Sequence, residues 1–331
     1  MAPSPQESHS RESSCRIVDD PATRRTVFVA PHRAARPHSA DAEGCPFCAG
    51  HEHLAPHETL RSPADPAAPW QARLIPNRYP LVVDDLPAGG ANAAVVGGGA
   101  RAARGVHDVV VESPRHVLSI LDVDEACWIA SWGLVRDRLR MLARRGDLAW
   151  GMVFKNSGPA AGASVDHVHS QLVALDFVPA AVVPPPPDAA GRDFLAAAID
   201  EAVREERIVA DRDGLVAFVP RAPRQPFETW IVPRAPKRLF HDADDAATAA
   251  LARLARDIVA RLARVAPECD YNWWLLQAPF AAPPRGVADG WRWRLEILPR
   301  LNPLAGFELG TGCLICVDSP EASAARLRRG S

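Results

Sequence analysis

The sequence lacks any apolar run of about 18 residues, the length at which a membrane-spanning helix is expected, and it has no secretory hydrophobic segment at its start. It also lacks an excess of charge, because the formal net charge is −2 over 331 residues. A nearly neutral chain has no strong electrostatic attraction for nucleic acid or for a membrane surface. These absences predict a soluble, cytoplasmic protein without nucleic-acid or membrane partners.

The cysteine content does not fit a disulfide scaffold, because seven cysteines is an odd count in a chain of 331 residues. Four of the seven form two Cys-x-x-Cys pairs, Cys45–Cys48 and Cys313–Cys316. The second pair lies in an apolar stretch with no nearby histidine, which favours small buried side chains over a metal site. A chain of this length can form a sizeable core and two domains, or two halves of one.

The most informative stretch is Asp166-His-Val-His-Ser-Gln171, which follows a run of small residues at 156–164. It lies between two apolar runs, and alternation places His167, His169 and Gln171 on one face of a strand. Two imidazoles and a carboxamide pack poorly, but they can hold a metal and attack a phosphate. The alternative is a half-exposed strand face with a structural role only.

A metal site is predicted at Cys45–Cys48, because one Cys-x-x-Cys turn supplies two of the four ligands of tetrahedral zinc. His116 follows a predicted strand end and His167 opens the histidine strand, so both are candidates for the remaining positions. His51 and His53 are nearer in sequence and stay open as alternatives. Two reduced thiols without a metal are the other interpretation of this pair.

If His167 binds the metal, His169 is left to act as a nucleophile toward phosphorus. A neutral imidazole is a good nucleophile near neutral pH, and a covalent intermediate divides a transfer between two phosphates into two similar steps. The expected donors to the phosphate oxygens are Gln171, the Ser164 hydroxyl, the backbone N–H groups of residues 158–162, and the basic side chains Arg33 and Arg36.

The second half of the chain repeats the order of elements in the first. A strand at 106–112 and a helix over about 125–145 are followed later by a strand near 230–234 and a helix over about 245–265. Residues 291–296 then occupy the place of the histidine strand, without a histidine. We therefore predict an internal duplication with one chemical site, although shared periodicity alone explains part of the match.

Composition divides the chain into four segments. We predict a disordered N-terminal tail at 1–23, an N-terminal domain at 24–183, a Pro-rich linker at 184–190 and a C-terminal domain at 191–325. The metal ligands and the catalytic histidine all lie in the N-terminal domain.

These motifs resemble the galactose-1-phosphate uridylyltransferase family, the transferase branch of the histidine-triad superfamily, from about residue 24 to 325. Together they are highly specific, although none is specific alone. They are Pro31–Pro37, Cys45–Gly50, Asn77–Pro80, Val111–His116, Phe154–Asn156, Gly162–Gln171, Pro226–Pro233 and Gly306–Glu308. The resemblance implies an α/β (α+β) fold of two histidine-triad-like halves, each an antiparallel sheet with packed helices, and a homodimer.

The resemblance also implies a reaction and a set of residues. A nucleoside monophosphate would move by a ping-pong mechanism from a nucleotide sugar to a hexose 1-phosphate, through a nucleotidyl-histidine at His169 assisted by Gln171. The residues carried over for zinc are Cys45, Cys48, His116 and His167. Those carried over for phosphate, nucleotide and sugar are Asn156, Gly162, Ser164 and Gln171, then Arg33, Arg36 and Asn77, then Glu308.

Three departures from the family pattern matter. Val168 stands between the histidines where proline is familiar, and the strand at 291–296 lacks the histidine of a second structural metal site. The segment Glu308-Leu-Gly-Thr-Gly312 lacks the glutamine of galactose-specific enzymes and looks like the branch that includes ADP-glucose phosphorylase.

The first expectation is a UDP-glucose–hexose-1-phosphate uridylyltransferase of galactose metabolism. The alternatives are an ADP-glucose phosphorylase that uses inorganic phosphate and a non-catalytic, zinc-stabilised nucleotide-binding module. The sequence alone leaves the base, the acceptor and the oligomeric state open.

Overall fold

The computed structural model describes residues 15–23, 25–35, 44–84, 100–281 and 290–329. The strands are β1 Arg16–Asp20, β2 Arg25–Val29, β3 Leu60–Ser62, β4 Ala72–Pro76, β5 Arg101–Ala102, β6 Gly105–Val111, β7 Trp150–Ser157, β8 His169–Leu175, β9 Ile208–Arg212, β10 Leu215–Phe218, β11 Thr229–Pro233, β12 Tyr271–Leu276 and β13 Arg294–Pro299. The α-helices are α1 Glu125–Ala143, α2 Phe194–Arg204, α3 Asp245–Val265, α4 Gly306–Thr311 and α5 Pro320–Arg329.

Ten of the strands form one antiparallel sheet in the order β3-β4-β6-β8-β7-β12-β13-β11-β10-β9. The two halves of the chain meet at the β7–β12 pair in the middle of this sheet. Outward from that pair, β7-β8-β6-β4-β3 on one side corresponds in order to β12-β13-β11-β10-β9 on the other. The α+β fold with antiparallel pairing is thus the expected one, and internal duplication stays a prediction that this strand order supports.

The two long helices lie together on one face of the sheet. Both begin where an aspartate precedes the first turn, and the Asp244 side chain accepts a hydrogen bond from Ala247 N at 2.8 Å, as expected of an N-cap. Trp128 of α1 donates its indole N–H to the Ala252 carbonyl of α3 at 2.7 Å. Trp132 stacks on Trp273 of β12 with ring centroids 5.2 Å apart. These contacts hold both halves in one core, and the bounds of α1 and α3 match the predicted helices closely.

Successive side chains of β8 point to opposite faces of the sheet, one packed in the core under the helices and the other on the face of the predicted site. Leu172 and Ala174 pack into the core beneath α1 and α3, whereas Val173 and Leu175 belong to a second cluster on the opposite face. His169 and Gln171 share the face of Val173 because side chains alternate along a strand. The predicted site therefore lies on the side of the sheet away from the two long helices.

A smaller sheet in the order β2-β1-β5 packs against that opposite face. The prediction of a disordered tail at 1–23 is wrong for 16–20, which form β1; residues 1–14 lie outside the described residues. Ile17 is fully buried and Cys15 nearly so, in a cluster with Trp150 and Val173. Burial of these apolar side chains offsets the entropic cost of ordering the segment.

The Pro-rich segment at 184–190 runs from a short 3-10 turn, Ala180–Val182, to the start of α2. It crosses between the halves where the linker was predicted, and the domain bounds themselves stay a prediction. No helix in the described part of the chain is long and apolar enough to cross a membrane.

Candidate active site and metal centre

Four side chains come together as a candidate metal centre. One ligand atom from each of Cys45, Cys48, His116 and His167 lies within 4.8 Å of all the others. The Sγ–Nδ1 distances are 3.4 Å for Cys45–His167, 3.4 Å for Cys48–His116 and 3.7 Å for Cys48–His167. A tetrahedral shell with metal–sulfur bonds of about 2.3 Å and metal–nitrogen bonds of about 2.0 Å has S···N edges of about 3.5 Å. The four residues therefore fit one tetrahedral ion.

Backbone hydrogen bonds hold the ligands in this arrangement. Ala49 N donates to the Pro114 carbonyl at 3.0 Å and so joins the cysteine turn to the segment that carries His116. The His167 Nε2–H donates to the Ser113 carbonyl at 2.9 Å, which directs Nδ1 at the thiols. Burial lowers the pKa of His167 to about 4, so the ring is neutral and able to act as a ligand.

The Cys48 thiol is held in its protonated form, because burial and the neighbouring Cys45 raise its pKa to about 11. A metal would have to displace protons from this pair. Of the two nearer histidines, His51 points Nδ1 at the Cys45 carbonyl, 3.0 Å away, and His53 is exposed. Neither belongs to the cluster, so the structure brings together His116 and His167 instead.

His169 opens β8 and is buried, with 5% of its surface exposed. Its Nδ1–H donates to the His167 carbonyl at 2.7 Å, so Nε2 carries the lone pair of the neutral ring. The Phe47 ring packs against the imidazole with centroids 5.5 Å apart. The ring is therefore oriented by one backbone carbonyl and one aromatic wall, as a fixed nucleophile requires.

Gln171 is held by a residue that sequence reasoning missed. His107 of β6 accepts from Leu81 N at its Nδ1, 2.9 Å, so its Nε2–H donates to Gln171 Oε1 at 3.1 Å. With the carboxamide oxygen engaged, the amide –NH2 is the end of Gln171 that can donate to a substrate. Asn77 contacts the same histidine, because Asn77 Nδ2 lies 3.0 Å from His107 Nε2. The available signal was the polar pair His107-Asp108 within the otherwise apolar strand β6.

The small-residue segment 156–164, which we call the phosphate loop, differs from expectation in its donors. Sequence reasoning assigned phosphate binding to N–H groups of the turn and to Gly162. The structure uses them internally: Ala161 and Ala163 donate to the Gly158 carbonyl, and Gly162 donates to the Pro159 carbonyl. Gly162 has a φ of +83°, a backbone conformation that favours glycine, so its role here is in the turn.

Because these backbone N–H groups are used within the turn, the side chains of the phosphate loop are the candidate hydrogen-bond donors to a ligand. The Ser164 hydroxyl is buried and has no hydrogen-bond partner. Such an orphaned group is costly unless a ligand or solvent satisfies it. The carboxamide of Asn156 donates only a long 3.4 Å bond to the Gly162 carbonyl. Both side chains are chemically suited to phosphate oxygens.

The remaining residues named in the sequence analysis make contacts that differ from one residue to the next. Arg33 donates from Nη1 to the Tyr79 carbonyl at 2.5 Å, which places it beside the Asn77 turn. Arg36 lies outside the described residues. Glu308 accepts from Ala305 N at 3.1 Å and so caps its own helix, α4. Cys313 is exposed, so the prediction of a buried second cysteine pair is wrong at that position.

A buried ion pair that the sequence analysis did not predict lies beneath the start of β8. Lys155 Nζ donates to Glu112 Oε2 at 2.6 Å and to the His169 carbonyl at 2.7 Å. The other oxygen of Glu112 accepts from the Ser170 hydroxyl. Burial lowers the pKa of Lys155, and Glu112 opposes that shift by attracting the ammonium charge.

A cavity of about 500 Å³ opens beside the histidine strand. It is bordered by His169 and Asn156 from the first half and by Leu262 and Tyr271 from the second half, and because Leu262 belongs to α3 the cavity reaches the helix side of the sheet at the start of β8. Concave sites of this size, lined by apolar surface with a few convergent polar groups, are typical of small-ligand binding.

The chain is similar in sequence to several known proteins. A family model described as "Domain of unknown function (DUF4921)" matches residues 134–329. The ADP-glucose phosphorylase of Arabidopsis thaliana is 31% identical over 337 residues, 94% of this chain and 92% of that protein. The galactose-1-phosphate uridylyltransferase of Haemophilus influenzae is 28% identical over 66% of each chain.

Solved structures give the same relationship. The crystal structure of the Arabidopsis thaliana ADP-glucose phosphorylase with bound ADP-glucose matches with a TM-score of 0.76 and 31% identity, over 96% of this chain and 100% of that chain. A structure of a uridylyltransferase matches with a TM-score of 0.75 and 27% identity, over 95% and 98% of the two chains. The chain thus belongs to the family that contains ADP-glucose phosphorylase and the galactose-1-phosphate uridylyltransferases.

Proposed function

We propose that this protein is a nucleotide-sugar phosphorylase that transfers AMP from ADP-glucose to inorganic phosphate through a nucleotidyl intermediate on His169. The observation that carries the proposal is the orientation of His169, whose Nδ1–H is held by the His167 carbonyl while Nε2 carries the lone pair. The choice of ADP-glucose and phosphate is supported by the relative that aligns at 31% identity over 94% of this chain.

The proposed chemistry takes place in two displacements at one phosphorus. Nε2 of His169 attacks the α-phosphorus of ADP-glucose, the bond to the bridging oxygen breaks, and glucose 1-phosphate leaves. An oxygen of inorganic phosphate then attacks the same phosphorus, the phosphorus–nitrogen bond breaks, and ADP leaves with His169 neutral again. Each step breaks one bond to phosphorus and forms another, so the two barriers can be similar.

The residues around His169 match the charge that develops in these steps. The ring becomes cationic when Nε2 bonds to phosphorus, and the His167 carbonyl that accepts from Nδ1 stabilises that charge. The –NH2 groups of Gln171 and Asn156 and the hydroxyl of Ser164 are proposed to bind the non-bridging oxygens. Arg33 and Asn77 are proposed to bind the nucleotide, and Glu308 the sugar, although Glu308 here contacts its own helix.

We propose zinc for the metal centre, because two thiolates and two imidazoles in a tetrahedral arrangement are the donor set that zinc prefers. With four protein ligands at Cys45, Cys48, His116 and His167, the shell is full. A full shell has no position for substrate, so the ion would organise the cysteine turn and the start of β8. We also propose a homodimer, supported by the exposed apolar side chains Leu304, Phe307, Leu309, Leu314, Ile315 and Val317.

A labelling experiment tests the reaction. The protein is incubated separately with ADP-glucose and UDP-glucose, each labelled in the α-phosphate, and the adduct is mapped and tested for acid lability. Acid-labile label on His169 from ADP-glucose, released as ADP by inorganic phosphate, is the expected result. Label from neither donor would contradict the proposal and favour a non-catalytic nucleotide-binding module.

The second candidate is a UDP-glucose–hexose-1-phosphate uridylyltransferase. It is favoured by two curated relatives with that kind of activity in their names, at 28% and 25% identity. The same labelled enzyme separates the two reactions. Preferred label from UDP-glucose, released by galactose 1-phosphate faster than by phosphate, would replace the phosphorylase with the uridylyltransferase.

A further inference from the structure

The phosphate loop is anchored by two side chains from the half of the chain that lacks the histidine motif. Asp270 and Asn272 lie at the start of β12, which pairs with β7 in the middle of the large sheet. The register places Asn272 directly opposite Asn156. Asn156, which its motif assigns to phosphate binding, is therefore in contact with Asn272, which lies outside that motif.

Asn272 fixes which way the Asn156 carboxamide points. The Nδ2 group of Asn272 donates to Asn156 Oδ1 at 2.9 Å and to the Ala161 carbonyl at 2.9 Å. Because Asn156 Oδ1 is occupied as an acceptor, the donor end of Asn156 turns away from β12. That donor end makes only the 3.4 Å bond to the Gly162 carbonyl, so it has hydrogen-bonding capacity for a phosphate oxygen.

Asp270 holds the turn of the same loop. Its Oδ2 accepts from Ala160 N at 2.6 Å, and its own carbonyl accepts from Arg300 N at 2.8 Å. The turn approaches so closely that a Cβ on Gly158 would lie 1.7 Å from Oδ1 and 2.1 Å from Cγ of Asp270. Gly158 also has a φ of +86°. Both the contact and the backbone conformation require glycine there.

We propose that Asn272 and Asp270 are positioning residues for nucleotidyl transfer, acting through Asn156 and the turn of the phosphate loop. This inference rests on the proposed function, because it assigns Asn156 to the phosphate in that reaction. Both act at a distance from the reacting atoms: Asn272 orients the Asn156 donor, and Asp270 holds the turn of the same loop. A displacement of about 1 Å at such a donor can cost about 100-fold in rate.

A double-mutant cycle tests the proposal. The rate of nucleotidyl-enzyme formation is measured in single turnovers with α-labelled ADP-glucose for the wild type, Asn272→Ala, Asn156→Ala and the double variant. Asn272→Ala should slow the step by about 10- to 100-fold, and the double variant should be no slower than Asn156→Ala by more than about twofold. A wild-type rate for Asn272→Ala, or effects that multiply, would overturn the proposal.

The isosteric variant Asn272→Asp distinguishes positioning from packing. It replaces the donor by an acceptor that faces the Asn156 Oδ1 and Ala161 carbonyl oxygens, which should turn the Asn156 carboxamide around. The rate should then fall at least as far as in Asn272→Ala. A near-wild-type rate would mean that Asn272 only fills space. Asn302→Ala, in the same half but outside these contacts, is the control and should keep the wild-type rate.

A separate readout covers failure of the proposed reaction. If the wild type takes no label from either nucleotide sugar, the proposed function has failed, and the positioning role is judged by AMP affinity and by hydrogen exchange at the Ala160 amide. Asn272→Ala should weaken AMP binding and Asp270→Ala should speed that exchange, each by about tenfold. Unchanged AMP affinity in Asn272→Ala would overturn the inference.

Discussion

Two histidines at the start of β8 make different backbone hydrogen bonds, and His167 lies in the bend just before the strand and not on it as predicted. His167 gives its Nε2–H to the Ser113 carbonyl and turns Nδ1 toward the thiols, whereas His169 gives its Nδ1–H to the carbonyl of His167 itself. The tautomers are therefore opposite, although the residues are two positions apart. The proposed division between metal ligand and nucleophile is supported by these different hydrogen bonds, since both residues are histidine.

His169→Ala tests that division at the level of one residue. Nucleotidyl transfer should be abolished, because the nucleophile is lost, while metal content should stay near that of the wild type, because all four candidate ligands are unchanged. Transfer is measured by α-phosphate labelling and metal content by elemental mass spectrometry. Loss of the metal together with the activity would show that the two histidines do not have separate roles.

Gln171→Glu tests the donor end of a carboxamide without changing its shape. The His107 Nε2–H can still donate to a carboxylate oxygen, so the fold should be retained. The –NH2 donor is replaced by negative charge next to a phosphate, so the rate of transfer should fall by about 100-fold or more. Single-turnover rates and melting temperatures are compared with those of the wild type. An unchanged rate would remove Gln171 from the phosphate site.

At the scale of elements, the ends of three strands are joined by one buried polar network. Glu112 follows β6, Lys155 belongs to β7 and Ser170 belongs to β8, and the ammonium group also holds the His169 carbonyl. Lys155 and Glu112 are each 1% exposed. A charge at such depth is tolerated only when it is paired and hydrogen-bonded.

Lys155→Met should destabilise the protein by about 3–5 kcal/mol, because it leaves the Glu112 carboxylate buried and unpaired. Adding Glu112→Gln should restore part of that loss of stability, since neither position then carries a buried charge. Unfolding in denaturant measures both variants against Glu112→Gln alone. Additive losses in the double variant would mean that the two groups are not coupled.

The sequence predicted elements and motifs well where the signal is local. The Cys-x-x-Cys turn, the alternation that puts His169 and Gln171 on one face, and the helices α1 and α3, each preceded by an aspartate, are short-range patterns. The contacts of His107 with Gln171 and of Asn272 with Asn156 join residues 64 and 116 positions apart. Those pairs are set by strand register, which one sequence does not specify.

Residues 16–20 were mispredicted for a related reason. Their polar composition suggested disorder, but Ile17 is buried only because β1 reaches a cluster formed by distant strands. Local composition carries no information about the surface that a segment will cover. The domain bounds, inferred from the Pro-rich segment at 184–190, stay a prediction, and the large sheet contains strands from both halves of the chain.

At the scale of the whole molecule, the candidate metal centre joins parts of the chain that are far apart in sequence. Cys45 and His167 are 122 positions apart, and Cys48 and His116 are 68 apart. Removing the metal with a chelator should lower the melting temperature, and Cys45→Ser should do the same without chelator, since metal binding contributes to the free energy of folding. The control is Cys313→Ser, whose exposed thiol lies outside the cluster. An unchanged melting temperature after verified metal loss would contradict this.

The β7–β12 pair also has a consequence for how such proteins diverge. Asn156 and Asn272 face each other across it, so a substitution in the half that lacks the histidine motif should alter the phosphate loop. If one half of the chain were exchanged between relatives, it would bring one residue of the 156–272 contact without its original partner. Productive recombinants should therefore inherit the 156–272 pair together, whichever parent supplies the remaining sequence, and the two halves are expected to diversify as one unit of selection.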